Sequence, residues 1–224
     1  LYGASNYRTF NFNPHASAYR DISQLPAAHF AKLKAGTLSL HRYWDLTEQG
    51  DFEEREEVLA NRYRENLEEA VRLRLQKTNR PAFTLSGGMD SSSVLSLAKK
   101  ITGNKQEAIS TIYDDKTFDE SDEIKSILPE AVEKWHALKV QPTDLVSDLR
   151  RAIRASNEPV PTSNYLSHFL MCEEIGRRGF THLFGGLGGD ELNAGEFDHF
   201  FYFFAEILDG FEFSGDEVIC CWGK

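Results

Sequence analysis

No run of apolar residues in this 224-residue chain is long enough to span a bilayer, and no secretory signal pattern is visible. Membrane and secreted classes are set aside, and a reducing cytoplasm is the expected compartment. Cysteine is scarce: Cys172, Cys220 and Cys221 form no even disulfide framework, and the adjacent pair has no His or Cys neighbours with which to bind a metal. HExxH and CxxC patterns are both absent. Positive charge is in deficit, with 25 Lys and Arg against 35 Asp and Glu and a formal net charge of -10. That balance argues against a nucleic-acid surface. There is no Gly-Lys-Ser or Gly-Lys-Thr ending of a Walker A loop, and the GxGxxG dinucleotide fingerprint is not met in register.

What is present is a small-residue turn of unusual composition, Leu85-Ser86-Gly87-Gly88-Met89-Asp90-Ser91-Ser92. The β-prone run Pro81–Leu85 precedes it and a segment of helical spacing, Ser92–Ala98, follows, so the glycines fall between a strand and a helix N-terminus. Free amide groups and the positive end of the helix dipole meet there, which suits an anion. Glycines let the backbone approach phosphate closely, and the hydroxyls of Ser86, Ser91 and Ser92 add donors. Asp90 would be repelled by bare phosphate, so its presence points to a bridging divalent cation, Mg²⁺ being the natural candidate. A plain turn with a Ser cap is the competing reading of Ser-Gly-Gly alone.

A second glycine-rich element, Phe184-Gly185-Gly186-Leu187-Gly188-Gly189-Asp190-Glu191, follows the apolar Phe180–Phe184. In an open α/β sheet, loops at the carboxyl ends of parallel strands gather into one crevice, so both loops are expected to face one nucleotide, with Asp190 as second metal ligand. Elsewhere strands and helices alternate, which predicts a doubly wound parallel sheet. A charged helix is expected from about Phe52 to Lys77, with Val58, Leu67, Val71 and Leu75 on one face. Asn79-Arg80-Pro81 ends it. Ile109–Tyr113 reads as a strand, Asp119 to about Trp135 as helix, Ala137–Val140 as a short strand ahead of a helix that Pro142 can start, and Ser163–Arg178 as helix. Phe197, Phe200, Phe201, Tyr202, Phe203 and Phe204, with Asp198 and His199 among them, predict burial on several sides of a helix. An exposed patch that promotes dimerisation is the alternative. His168 and His199 are read as ordinary histidines and not as ligands.

SGGMDSS followed about a hundred residues later by GGLGGDELNAG resembles the synthetase domain of the asparagine synthetase family, which includes β-lactam synthetases and lasso-peptide cyclases. Phe118-Asp119-Glu120-Ser121 resembles the family between the loops. Tyr19–Ile22, Leu25-Pro26, His29, Gly36 and Arg42–Leu46 resemble the segment joining its glutaminase and synthetase domains. The resemblance implies an α/β fold of the adenine-nucleotide α-hydrolase or PP-loop ATPase type. It implies ATP and Mg²⁺, with a carboxylate attacking the α-phosphorus and an amine or ammonia then displacing AMP. By the same resemblance Ser86, Gly87, Gly88, Ser91 and Ser92 hold pyrophosphate, Asp90 and Asp190 hold Mg²⁺, and the backbone near Leu85, Ile112 and Gly186 faces the adenosine, with Gly185 in the same loop. Glu158 and Asn164 stand where the family has a loop near the site mouth; an ordinary surface loop is the alternative there.

The chain departs from the family in four places. The position of Leu187 is usually acidic in asparagine-forming members and tyrosine in β-lactam synthetases, and leucine can do neither's hydrogen bonding. Gly185 replaces a serine. No residue after the second loop, Lys224 included, matches the family's catalytic lysine, and residue 1 is Leu where a glutaminase domain would offer cysteine. Residues 1–50 are therefore expected to be the end of a glutaminase domain and a linker, and 51–224 a synthetase domain without its C-terminal part. A partner glutaminase domain would supply ammonia. The competing expectations are a degenerate nucleotide- or partner-binding module and a related amide-forming cyclase.

Overall fold

Residues 15, 17, 19–45, 54–117, 119–139, 144–160 and 162–209 are described by the computed structural model, without the side chains of 198, 202 and 206–209. The roles expected of Leu46, Gly50, Asp51, Phe52, Phe118, Val140, Pro142, Cys220, Cys221 and Lys224 lie outside the described residues, as do those of the Asp198 and Tyr202 side chains.

Ala35 and Gly36, both at positive φ, turn β1 (His29–Lys34) back onto β2 (Thr37–Arg42) as an antiparallel hairpin. Then follow α1 (Glu56–Leu75), β3 (Pro81–Thr84), α2 (Met89–Thr102), β4 (Gln106–Ile112), α3 (Ser121–Ala131), β5 (Val132–Lys139), α4 (Leu145–Ser156), α5 (Ser163–Arg177), β6 (His182–Phe184), α6 (Gly189–Leu192) and α7 (Phe197–Asp209). The last four strands form one parallel sheet in the order β5-β4-β3-β6. Winding runs outward from β3 through β4 to β5, then returns to add β6 on the other side of β3. The expected doubly wound sheet is thus present, and its direction reverses between β3 and β6.

Alternation along the strands fills both faces. Phe83 and Ala108 point to a cluster with Val71, Leu95, Ala98 and Ile124, whereas Ala82 and Ile109 point to Met171, Ile175 and Phe180. Phe83 stacks on Phe184 with ring centroids 5.0 Å apart, which locks β6 against β3. Burying a side chain such as Leu95 or Ile124 contributes about 1.5–3 kcal/mol each. On α1, Val71 is buried and Leu67 and Leu75 half-buried, but Val58 is exposed, so only the C-terminal half of that helix leans on the sheet. His136, buried on β5, joins Glu107 of β4 through Nε2 at 2.8 Å, and its Nδ1 accepts from the Arg178 guanidinium at 2.9 Å.

Three expectations are corrected. The helix expected to reach Trp135 ends at Ala131, and β5 starts at Val132 and runs for eight residues. Pro129 lacks an N–H and crowds the preceding turn, while Val132 and Trp135 gain a ladder that pairs Gln106 with Val132 and Ile112 with Lys139. β6 is three residues long, not five; Phe180 is buried beneath the sheet, its N–H bonded to the Ile175 carbonyl. The aromatic residues of α7 are not core: Phe197, Phe200, Phe201, Phe203 and Phe204 are all exposed, packing on one another at most. A helix bearing phenylalanine on every face needs cover from several sides, and the described elements do not supply it. Among the described residues no helix is long and apolar enough to cross a membrane.

Candidate functional site

The first loop is built by the end of β3. Leu85 is 2% exposed; its N–H bonds the Ile109 carbonyl at 3.0 Å and its carbonyl accepts from Ser110 Oγ, whose oxygen in turn accepts from Trp135 Nε1 at 3.0 Å. Beyond it the chain leaves the sheet. Gly87 takes φ +76°, and a Cβ there would stand 2.8 Å from Glu123 Cβ. Gly88 then caps α2 from extended backbone with no side chain on the helix end, so the first-turn amides precede the first intrahelical bond. The serines preform the loop: Ser86 N–H and Ser86 Oγ meet Ser91 Oγ at 3.2 and 3.1 Å, and Ser91 and Ser92 hydroxyls donate to the Gly88 carbonyl at 3.2 and 2.6 Å.

The second loop is pressed against the first by glycine. Thr84 Oγ1 donates to the Phe184 carbonyl at 3.3 Å, tying the two strand ends together. A Cβ on Gly186 would lie 2.6 Å from both Asp90 Cβ and Ser91 N, and one on Gly189 would overlap the Asp90 carboxylate. Gly188, at φ +93°, opens α6, and a Cβ on Gly195 would overlap the Asp190 carboxylate. From α6, Asn193 Nδ2 donates to the Gly189 carbonyl at 2.8 Å and to Tyr63 OH of α1 at 3.0 Å. Both loops therefore sit at the point where the winding of the sheet reverses, the place where open α/β sheets hold ligands.

Between them lies a cleft of about 780 Å³. Ser86, Gly88, Asp90, Ser91, Gly185, Gly186 and Asp190 line it as expected. Leu85, Gly87, Ser92 and Ile112 do not: Leu85 is buried beneath the loop, Gly87 faces α3, Ser92 turns its hydroxyl back on Gly88, and Ile112 ends β4 away from the cleft. Glu158 and Asn164 are exposed and are not among the lining residues. His168, read from the sequence as an ordinary histidine, and Cys172, given no site role there, are also lining residues. They stand one helical turn apart on α5, with Sγ 3.7 Å from Nδ1, and their i, i+4 spacing was the one signal available. Burial pushes the Cys172 thiol up from its ordinary value. His199, outside the cleft, accepts from the Glu196 N–H at 3.2 Å.

Four carboxylates, Asp90, Asp190, Glu191 and Glu196, line the cleft, and no Lys or Arg does among the described residues. Asp90 and Asp190 join no ion pair among the described residues, and no cluster of three or more His, Cys, Asp or Glu able to hold a metal occurs among them. Two carboxylates completed by ligand phosphates fit Mg²⁺, which keeps few protein ligands and favours phosphate oxygens. Beside the first loop, burial and then the neighbouring Glu123 hold the Glu120 carboxyl above its usual value.

The family model for asparagine synthase matches residues 62–207, from α1 through both loops to α7. The chain belongs to the asparagine synthase family. Membership makes it an ATP-utilising domain of ligase type, and the match takes in the loop Ser86–Ser92. Among curated proteins, the amidase chyE of Penicillium rubens is 29% identical over 170 residues, covering 68% of this chain and 25% of that protein. The amidase chry2 of Gibberella zeae is 29% identical over 177 residues, covering 71% of this chain and 26% of that protein. The chain thus spans about a quarter of the length of these relatives. Among solved structures, the NH3-dependent NAD synthetase from Campylobacter jejuni in complex with nitrate superposes with a TM-score of 0.40 and 16% identity, over 60% of this chain and 59% of that one.

Proposed function

We propose that this asparagine synthase domain activates a carboxylate as an acyl-adenylate for amide formation. One carboxylate oxygen attacks the α-phosphorus of ATP as the bond to the β-phosphate bridging oxygen breaks, releasing pyrophosphate; an amine then attacks the acyl carbon and AMP departs. The observation that carries this reading is the interlock of the two loops at the switch point, where Gly186 and Gly189 leave room only for Asp90. In the proposal the amides opening α2 receive the pyrophosphate end, and Asp90 and Asp190 hold Mg²⁺, which neutralises phosphate charge when bound. Four lining carboxylates, with no Lys or Arg among the described lining residues, favour that neutralisation, because bare triphosphate would be repelled by them. Ammonia released from glutamine by a separate domain is the proposed nucleophile.

Leu187 favours a second reading, a nucleotide-binding domain without turnover, since its side chain is 88% exposed at the cleft and has no group with which to handle an amine. Calorimetric titration with ATP, with and without Mg²⁺, tests the shared premise. Asp90→Ala and Asp190→Asn are expected to weaken Mg²⁺-ATP binding at least about 100-fold, a loss of about 2.7 kcal/mol, with little change in thermal unfolding. Wild-type affinity in both variants would falsify the site. Carboxylate-dependent exchange of pyrophosphate into ATP then separates turnover from binding alone.

A further inference from the structure

The walls of the cleft differ sharply in chemistry. Met171 of α5 and Leu183 of β6 bring apolar side chains to the lining, and Met89 and Leu187, also in the lining, have 81% and 88% of their surface exposed. Large apolar side chains held in water on two facing loops gain by being covered, and what covers them must itself be apolar. The remaining charged lining is all negative: Asp90, Asp190, Glu191 and Glu196, with no Lys or Arg among the described lining residues. The carboxylate that is activated loses its charge on becoming an acyl-adenylate. A second carboxylate on the same substrate would keep its charge, find no Lys or Arg and only the His168 imidazole among the described lining residues, and face Glu191 and Glu196. Mg²⁺ does not relieve it, being engaged by the phosphates and by Asp90 and Asp190 in the proposed arrangement.

We infer that the cleft takes an apolar monocarboxylic acid, aliphatic or aromatic, and discriminates against substrates with a second carboxylate such as glutarate. This rests on the adenylating reading of the same site and specifies its substrate class. Leu187 sets the preference, because it places hydrocarbon in the lining of the cleft where a charged or hydrogen-bonding side chain would receive a polar substrate.

The test uses the full-length protein and ATP–pyrophosphate exchange with hexanoate, benzoate, succinate and glutarate in parallel. The monoacids are expected to give kcat/KM at least tenfold above the diacids. Leu187→Arg supplies the missing cation and is expected to raise kcat/KM for the diacids at least tenfold relative to the monoacids. Because Leu187 lies in solvent, its replacement removes no packing, and Leu187→Glu serves as the opposite charge control, lowering activity with the diacids further. Calorimetry with Mg²⁺-ATP alone is run first. Absent nucleotide binding overturns the adenylating reading and this inference with it. Nucleotide binding with diacids activated as well as monoacids, or with neither monoacid activated, overturns the substrate class and leaves the nucleotide site standing.

Discussion

A single methyl group at residue 186 would sit 2.6 Å from the Asp90 side chain, closer than any carbon tolerates, so the two loops can approach only with glycine there. Gly186→Ala is expected to push the loops apart and lower Mg²⁺-ATP affinity at least tenfold while far-UV circular dichroism stays unchanged. Retention of affinity would mean that the loops do not act as one site. Cys172 of α5 gives an independent probe of the cleft. Burial raises its thiol, so thiolate is scarce at neutral pH, and alkylation by iodoacetamide should be slow at pH 7 and accelerate about tenfold per pH unit up to the thiol's own value. Mg²⁺-ATP should slow it further if the cleft fills, as mass spectrometry of the modified peptide would show. That Asp90 and Asp190 reach one cleft was legible in the sequence because turn chemistry is local. His168 and Cys172 were not, because reaching the cleft from α5 depends on how that helix crosses the sheet.

At the scale of elements, the strand-turn-helix grammar was readable where turn residues separated the elements, as at Asn79-Arg80-Pro81. It failed between α3 and β5, which adjoin with no turn residue between Ala131 and Val132. There the ladder to β4 decides the conformation, and that ladder is invisible to local pattern. It failed again for α7, where aromatic density signals a need for cover without saying what provides it. The helices that were placed correctly are held by core residues such as Leu95, which is 0% exposed between α2 and the sheet. Leu95→Ala should cost about 2–5 kcal/mol, read as a lower urea midpoint with an unchanged slope. The folded fraction should keep its nucleotide affinity, since Leu95 does not line the cleft.

For the molecule as a whole, the net charge of -10 and the acidic cleft act in the same direction on an approaching nucleotide. Raising salt from about 0.01 to 0.1 M shortens the screening distance from about 30 to about 10 Å, so association of metal-free ATP should speed up with salt. Stopped-flow measurement showing slower association would locate a cationic entrance outside the described residues. The strand order carries a different consequence. β3 pairs with β4 just after it in sequence, but its other edge waits for β6, where Pro81 meets His182. During synthesis at about 5–20 residues per second, the intervening hundred or so residues take roughly 5–20 s to emerge. Through that interval β3 presents an unpaired edge flanked by the apolar Phe83, open to strand pairing with a neighbouring chain. The segment that completes the cleft is therefore also the one that closes the growing chain against aggregation.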